Sequence, residues 1–220
     1  MMSDRPNPFS DPQLVARYAE GPPRIVPGFD AMQRMTTFLL AERVPDNGRL
    51  LVIGAGGGLE LKTFADARPG WTFDGIDPSA EMLKLARRTL GSLAARATLH
   101  QGYTENAPSG PFDGATCHMT LHFLSIKERQ RTTAEVHRRL KPGAPFVVAH
   151  FSMPQGDERA VWLSRYATYA GIDPDQAAAI DAHLTILSPE QDEAILREAG
   201  FSNVDLFYAG FTFRGWVGYA

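Results

Sequence analysis

Leu50-Leu51-Val52-Ile53-Gly54-Ala55-Gly56-Gly57-Gly58 is an apolar run that ends in a glycine turn, and about twenty positions later Phe73-Asp74-Gly75-Ile76-Asp77 is a second run that ends on an acid. The first reads as a buried strand and the second as its neighbour in a parallel sheet. A turn that comes close to a ligand and takes positive φ calls for glycine, because a side chain would block the approach and strain the backbone. The helix expected over 59–67 then aims its first amides at the same point, where they favour an anion such as a pyrophosphate or a carboxylate. Asp77, at the tip of the second strand, would accept hydrogen bonds from both hydroxyls of a ribose, and its charge strengthens them. Turn and acid in register point to an adenosine-containing cofactor at the carboxyl ends of the strands.

The spacing narrows the choice of cofactor. A dinucleotide fingerprint reads G-x-G-x-x-G, whereas Gly54, Gly56 and Gly58 are spaced G-x-G-x-G and Leu59 stands where the last glycine belongs. A dehydrogenase also carries a catalytic domain beside its nucleotide domain, and this chain has 220 residues in all. Further along, Phe112-Asp113-Gly114-Ala115-Thr116-Cys117 enters a fourth strand, and Arg139-Leu140-Lys141-Pro142-Gly143-Ala144 turns into a fifth. With the glycine turn and Gly75-Ile76-Asp77-Pro78-Ser79, these motifs in this order resemble the class I S-adenosylmethionine (SAM) methyltransferases, from about Val26 to the C-terminus.

Val26-Pro27-Gly28-Phe29, Thr120-Leu121-His122-Phe123-Leu124 and the closing aromatic hairpin add a similarity to the carboxy-SAM synthase branch, which acts on the way to a modified tRNA wobble uridine. That branch relies on an arginine in the late helical insert to hold an extra carboxylate. Here the corresponding run is Gln176-Ala177-Ala178-Ala179-Ile180, which argues against that reaction. Two further departures concern SAM itself. Val52 stands where the family has an acid that helps position the SAM amino group, and Gln101-Gly102-Tyr103-Thr104-Glu105 replaces the segment that carries an acid for the adenine. Tyr103 could cover the adenine and Glu105 could supply the acceptor. The resemblance implies SAM as the cofactor, held by Phe29, Gly54, Ala55, Gly56, Asp77, Pro78, Tyr103, Thr104 and His118.

Periodicity sets the frame. A short helix is expected over 11–20, broken by Gly21-Pro22-Pro23, followed by helical spacing over 28–44. Strands at 49–53, 72–76, 97–101, 113–118 and 144–150 alternate with helices at 59–67, 79–90 and 126–140. The insert 152–187 reads as helix with a break at Gly171-Ile172-Asp173-Pro174, a helix at 188–199 starts on a Ser188-Pro189-Glu190 cap, and 203–209 and 211–218 read as strands. The expected architecture is α/β: a Rossmann-like, mostly parallel seven-stranded sheet with a C-terminal antiparallel hairpin, in a single domain with a helical cap over 1–44 and an insert or lid over 152–187.

Composition agrees with one globular domain, since 44% of the residues are hydrophobic and 21% charged. A net charge of −3 gives no electrostatic case for a broad nucleic-acid surface. The single cysteine, Cys117, sits in an apolar strand and reads as a buried thiol. No stretch reaches the ~20 apolar residues of a membrane span, and Met1-Met2-Ser3-Asp4-Arg5-Pro6-Asn7-Pro8-Phe9-Ser10-Asp11-Pro12 lacks the basic start and apolar core of a signal peptide, so a cytoplasmic location is expected.

Substrate chemistry rests on residues just past the fourth and fifth strands: His118, Thr120, His122, His150 and Ser152. His122 and His150 are the candidate general bases, because an unperturbed imidazole titrates near neutrality. No metal is expected. His118 and His122 are spaced i, i+4 in a segment leaving a strand, and that spacing pairs metal ligands only on a helix. Trp162, Tyr166, Tyr169, Phe207, Phe211, Phe213 and Trp216 would line a pocket for an apolar acceptor, or else form core or a homodimer contact. The leading expectation is therefore a SAM-dependent methyltransferase with a small-molecule O, N or C acceptor. The alternatives are a carboxy-SAM synthase-like or tRNA-modification enzyme, and a SAM-binding protein without turnover.

Overall fold

The computed structural model describes residue 9 and residues 11–220. Most of the N-terminal stretch read for a leader lies outside them. Three short helical pieces come first: α1 (Pro12–Ala16), a 3-10 turn at Tyr18–Glu20, and α2 (Gly21–Ile25). The Gly21-Pro22-Pro23 break is thus a helix instead. Proline costs nothing in the first turn, where its missing N–H would be unpaired anyway. Next come α3 (Phe29–Ala41), β1 (Arg49–Ile53), α4 (Leu59–Ala67), β2 (Thr72–Asp77), α5 (Ala80–Leu90), β3 (Ala97–Gln101), β4 (Gly114–His118), α6 (Ile126–Arg139) and β5 (Pro145–Phe151). The insert supplies α7 (Asp157–Ala170) and α8 (Pro174–His183), followed by α9 (Pro189–Glu198), β6 (Ser202–Gly210) and β7 (Phe213–Tyr219).

Side-chain caps fix several of the helix starts. Ser79 Oγ accepts from the Met82 amide at the head of α5, and Ser125 with Glu128, Asp173 with Gln176 and Ser188 with Gln191 form capping boxes.

One sheet runs β3-β2-β1-β4-β5-β7-β6, with β1 to β5 parallel and β7 antiparallel to both β5 and β6. Alternation along β1 serves two cores. Leu50 and Val52 pack with Leu40, Leu61 and Phe64 of α3 and α4, while Leu51 and Ile53 pack with Val136 and Leu196 of α6 and α9. Every residue of β4 and β5 is buried, as expected for central strands covered on both faces. The chain order reverses direction across β1 and β4, so the crevice between their carboxyl ends is the place where such a sheet binds ligands. No helix among the described residues is long and apolar enough to cross a membrane.

Candidate active site

The glycine turn is built on the end of β2. Gly54 and Ala55 both donate to the Ile76 carbonyl, at 2.9 and 3.0 Å, which folds the turn back over its neighbour. Gly54, Gly57 and Gly58 hold positive φ (72°, 79° and 72°), the backbone freedom read from the sequence. Gly56 does not, and its requirement is space: a Cβ there would stand 2.5 Å from Asp77 Oδ2 and 2.8 Å from Met82 Cβ. Asp77 is tied to the turn, its Oδ2 accepting from Gly56 N–H at 3.0 Å and its Oδ1 from Ser79 N–H at 2.8 Å. Burial raises the Asp77 carboxyl above its usual value and outweighs the two amides that pull it down.

At the end of β4 the chain turns sharply. Met119 takes a left-handed conformation (φ 51°) and donates to the Ala149 carbonyl at 2.7 Å, and Thr120 fills the space above Gly54. His118 points toward α3 and α4. Its Nε2 is 3.3 Å from Thr36 Oγ1, and its Nδ1 comes within 3.1 Å of Glu60 Oε2. That second approach is an electrostatic contact and not a hydrogen bond, so Nδ1 has no hydrogen-bond partner. The other oxygen of Glu60 accepts from Thr116 Oγ1 at 2.8 Å.

These residues converge on one cleft, lined by Tyr18, Pro22, Phe29, Gln33, Gly54, Gly56, Leu59, Glu60, His118 and Met119. It holds one buried histidine, His118, and one buried glutamate, Glu60, and no lysine or arginine. Its enclosed space is about 20 Å³, room for roughly one water. Tyr18 is the reason. Its ring lies across Gly57, where an added Cβ would be 2.7 Å from the ring, and Phe9 meets it edge-on at 5.7 Å. Burial pushes the Tyr18 phenol far above its usual pKa, and the charges of Glu60 and Asp77 add to this. The glycine cradle and the buried glutamate fit a nucleoside with a cationic tail, and the Tyr18 ring covers the turn at Gly57.

Of the residues read from the sequence, Phe29, Gly54, Gly56 and His118 line this cleft and Asp77 anchors its turn. Ala55 is buried behind the turn, and Pro78 follows Asp77 with its carbonyl toward Gln101. Tyr103 is 44% exposed beyond β3, and Thr104 is buried beside it; neither reaches the lining. Glu105 pairs with Arg131 on α6.

The structure does not bring His122 or His150 to the cleft. His122 is buried with its Nδ1 accepting from Phe151 N–H at 3.2 Å, and burial lowers its pKa well below the ordinary value. His150 alternates with Ala149 and Phe151 along β5, so it points to the opposite face of the sheet. There its Nε2 is 3.1 Å from Asp192 Oδ1 and its ring packs beside Trp216. Ser152 is buried just past the end of β5, and Thr120 is spent on the turn.

From the insert, Tyr166 is buried against Phe151 and Phe213 in a cluster that includes Phe29 and Met119, and no insert residue lines the cleft. Trp162 packs against the same cluster and Tyr169 lies on Phe211. Phe207 is partly buried, and Phe213 and Trp216 are core. No group of three or more His, Cys, Asp or Glu side chains among the described residues could hold a metal ion.

Sequence reasoning missed Glu60, Tyr18 and Gln33. The signal for Glu60 is its place on α4, where it shares the buried face with Leu61, Phe64 and Ala65. An acid on the apolar face of a helix is an exception that asks for an explanation.

A family model described as a methyltransferase domain matches residues 51–146, the segment that contains the turn, Asp77 and His118. That segment of the chain matches the methyltransferase-domain family, and the sheet around it has the class I methyltransferase fold. A ubiquinone/menaquinone biosynthesis C-methyltransferase of Syntrophotalea carbinolica is 30% identical over 144 residues, which cover 60% of this chain and 60% of that protein. The match therefore spans about three fifths of that curated relative's length. A carboxy-S-adenosyl-L-methionine synthase of Alteromonas mediterranea is 22% identical over 219 residues, 94% of this chain and 90% of the other. Human N-acetylserotonin methyltransferase in complex with SAM shares the fold, with a TM-score of 0.68 at 15% identity, over 96% of this chain and 57% of that one. The seven-stranded sheet with its antiparallel end is the fold that this chain shares with that SAM-bound methyltransferase.

Proposed function

We propose that the chain transfers a methyl group from SAM to an oxygen, nitrogen or carbon nucleophile of a small molecule, in the cytoplasm. The observation that carries this reading is a cleft at the carboxyl ends of β1 and β4 that joins a glycine cradle to a buried acid, Glu60, and has no lysine or arginine in its lining. Such a cleft suits a nucleoside with net positive charge. When bound, SAM supplies an electrophilic methyl group on a sulfonium.

The residues of the chain do the rest by position. Asp77 accepts the ribose hydroxyls, Gly54 and Gly56 let the backbone approach the methionyl part, and Phe29 and Met119 form the apolar wall that keeps water from the reacting atoms. Because alignment and exclusion of water carry most of such a transfer, the absence of His122 and His150 from the cleft is no obstacle.

Two observations speak against the carboxy-SAM alternative. Arg159 is bound to Asp181 at 2.6 and 3.0 Å and to the Ile186 carbonyl, and Arg165 lies 4.8 Å from the Trp162 ring. Neither lines the cleft, so a second carboxylate would be buried without a partner. Native mass spectrometry of the purified protein tests the proposal, with SAM or S-adenosylhomocysteine as the expected adduct and carboxy-SAM as the contradicting one. Labelled methyl from SAM should then appear in small molecules of a cell extract. Retention of SAM with no transfer to any extract fraction would favour a binding protein without turnover.

A further inference from the structure

We propose that Glu60 is the carboxylate that holds the α-ammonium of the cofactor, a task usually given to a strand residue and here moved to the first turn of α4. The proposal rests on the reading of the cleft as a SAM site. Two acids stand at the glycine turn, and they are used differently. Both oxygens of Asp77 are already bonded by backbone amides, from Gly56 and Ser79. Glu60 is 7% exposed and lines the cleft together with Gly54 and Gly56, with one oxygen fixed by Thr116 and the other facing His118.

A carboxylate so far from water needs a compensating cation, and no lysine or arginine lines the cleft to supply one. The positive end of α4 stabilises the charge in part, since Glu60 sits in the first turn. The second observation is His118: it is 4% exposed, it lines the same cleft, and its Nδ1 has no hydrogen-bond partner although Glu60 Oε2 is 3.1 Å away. Glutamate and histidine thus both keep polar capacity toward one point.

The sequence around β1 explains why the duty falls to the helix. Val52 is fully buried among Leu40, Leu61 and Phe64 and has no polar atom to offer. Val52 and Thr116 are register neighbours across β1 and β4, and Thr116 is the residue that holds Glu60, so the carboxylate stands over the end of the strand where Val52 is silent. SAM carries two cationic centres. The sulfonium has no N–H to donate, whereas the ammonium has three, and a carboxylate oxygen with a free lone pair is matched to the donor.

Binding of three nucleosides to wild type and Glu60→Gln, measured by calorimetry, separates these assignments. S-adenosylhomocysteine keeps the ammonium and lacks the sulfonium charge, and methylthioadenosine lacks the amino acid tail altogether. The expected result is that Glu60→Gln weakens SAM and S-adenosylhomocysteine alike, by about tenfold to a hundredfold, and leaves methylthioadenosine unchanged. Loss confined to SAM would move Glu60 to the sulfonium and overturn the proposal. Equal loss for all three, or loss for none, would overturn it as well while leaving the nucleoside site in place. Failure of the wild type to bind any of the three would instead defeat the SAM reading on which it stands. If Glu60→Gln does not fold, Thr116→Val provides the same comparison, with a smaller loss for the two ligands that carry the ammonium and none for methylthioadenosine; no difference between ligands would overturn the proposal.

Discussion

Asp77 is held at the sheet's mouth by Gly56 and Ser79 amides, and nothing in the hydrophobic cores depends on it. Asp77→Ala is therefore expected to keep the fold and to weaken SAM by about 2–3 kcal/mol, the loss of charge-assisted bonds to a ribose. Titration calorimetry on the variant checks this, and unchanged affinity would mean that the nucleoside lies elsewhere. Asp77 and the glycines are legible in the sequence because turn geometry and strand-end position are local properties. Glu60 is not, because its role depends on Thr116 and His118, more than fifty positions away and brought near only by the pairing of β1 with β4. His122 and His150 fail for the same reason in reverse. Their chain positions past β4 and on β5 say nothing of the side of the sheet they face, and a one-residue alternation puts His150 on the α9 side.

Among the elements, α6 and α9 are joined through a buried pair. Arg129 on α6 bonds Asp192 on α9 and reaches the Thr185 carbonyl at 2.5 Å, and Arg129 is 1% exposed. Removing one partner leaves a buried charge alone, so Asp192→Asn should cost about 3–5 kcal/mol of stability in denaturant unfolding. Burial alone would raise the Asp192 carboxyl, but the charges of His150 and Arg129 and a hydrogen bond from Ser152 hold it below its usual value. A depressed carboxyl pKa gives stability that is present above the unfolded value, about pH 4, and is lost as pH falls through the folded value. The variant should lack that part of the acid limb, which unfolding curves at stepwise lower pH will show. Near the N-terminus, Tyr18 lies over the cleft with Phe9 packed edge-on against its ring, and Ser79 Oγ donates to the Phe9 carbonyl at 2.7 Å. Tyr18→Ala is expected to raise the association rate of SAM in stopped-flow measurements, and an unchanged rate would show that the cofactor enters by another side. The helical cap is only partly legible, since Gly21-Pro22-Pro23 carries a break signal that the first turn of α2 absorbs.

Across the whole molecule, alternating strands and helices make the parallel sheet and its antiparallel end readable, though not the strand order, because parallel neighbours need crossover helices and the last two strands are close enough in sequence to pair as a hairpin. What the order does not carry is the charge of the cleft, which is set by Glu60 on α4 in the lining and by Asp77 at the turn behind it. That charge is the core of the account: an acidic, cation-free lining selects a cofactor with a net positive tail and disfavours one with an added carboxylate. Competition between SAM and carboxy-SAM for the wild-type protein, followed by calorimetry, tests it most directly. SAM should win by tenfold or more, in keeping with the cost of burying an unpaired anion; equal affinity, or a preference for carboxy-SAM, would contradict the account.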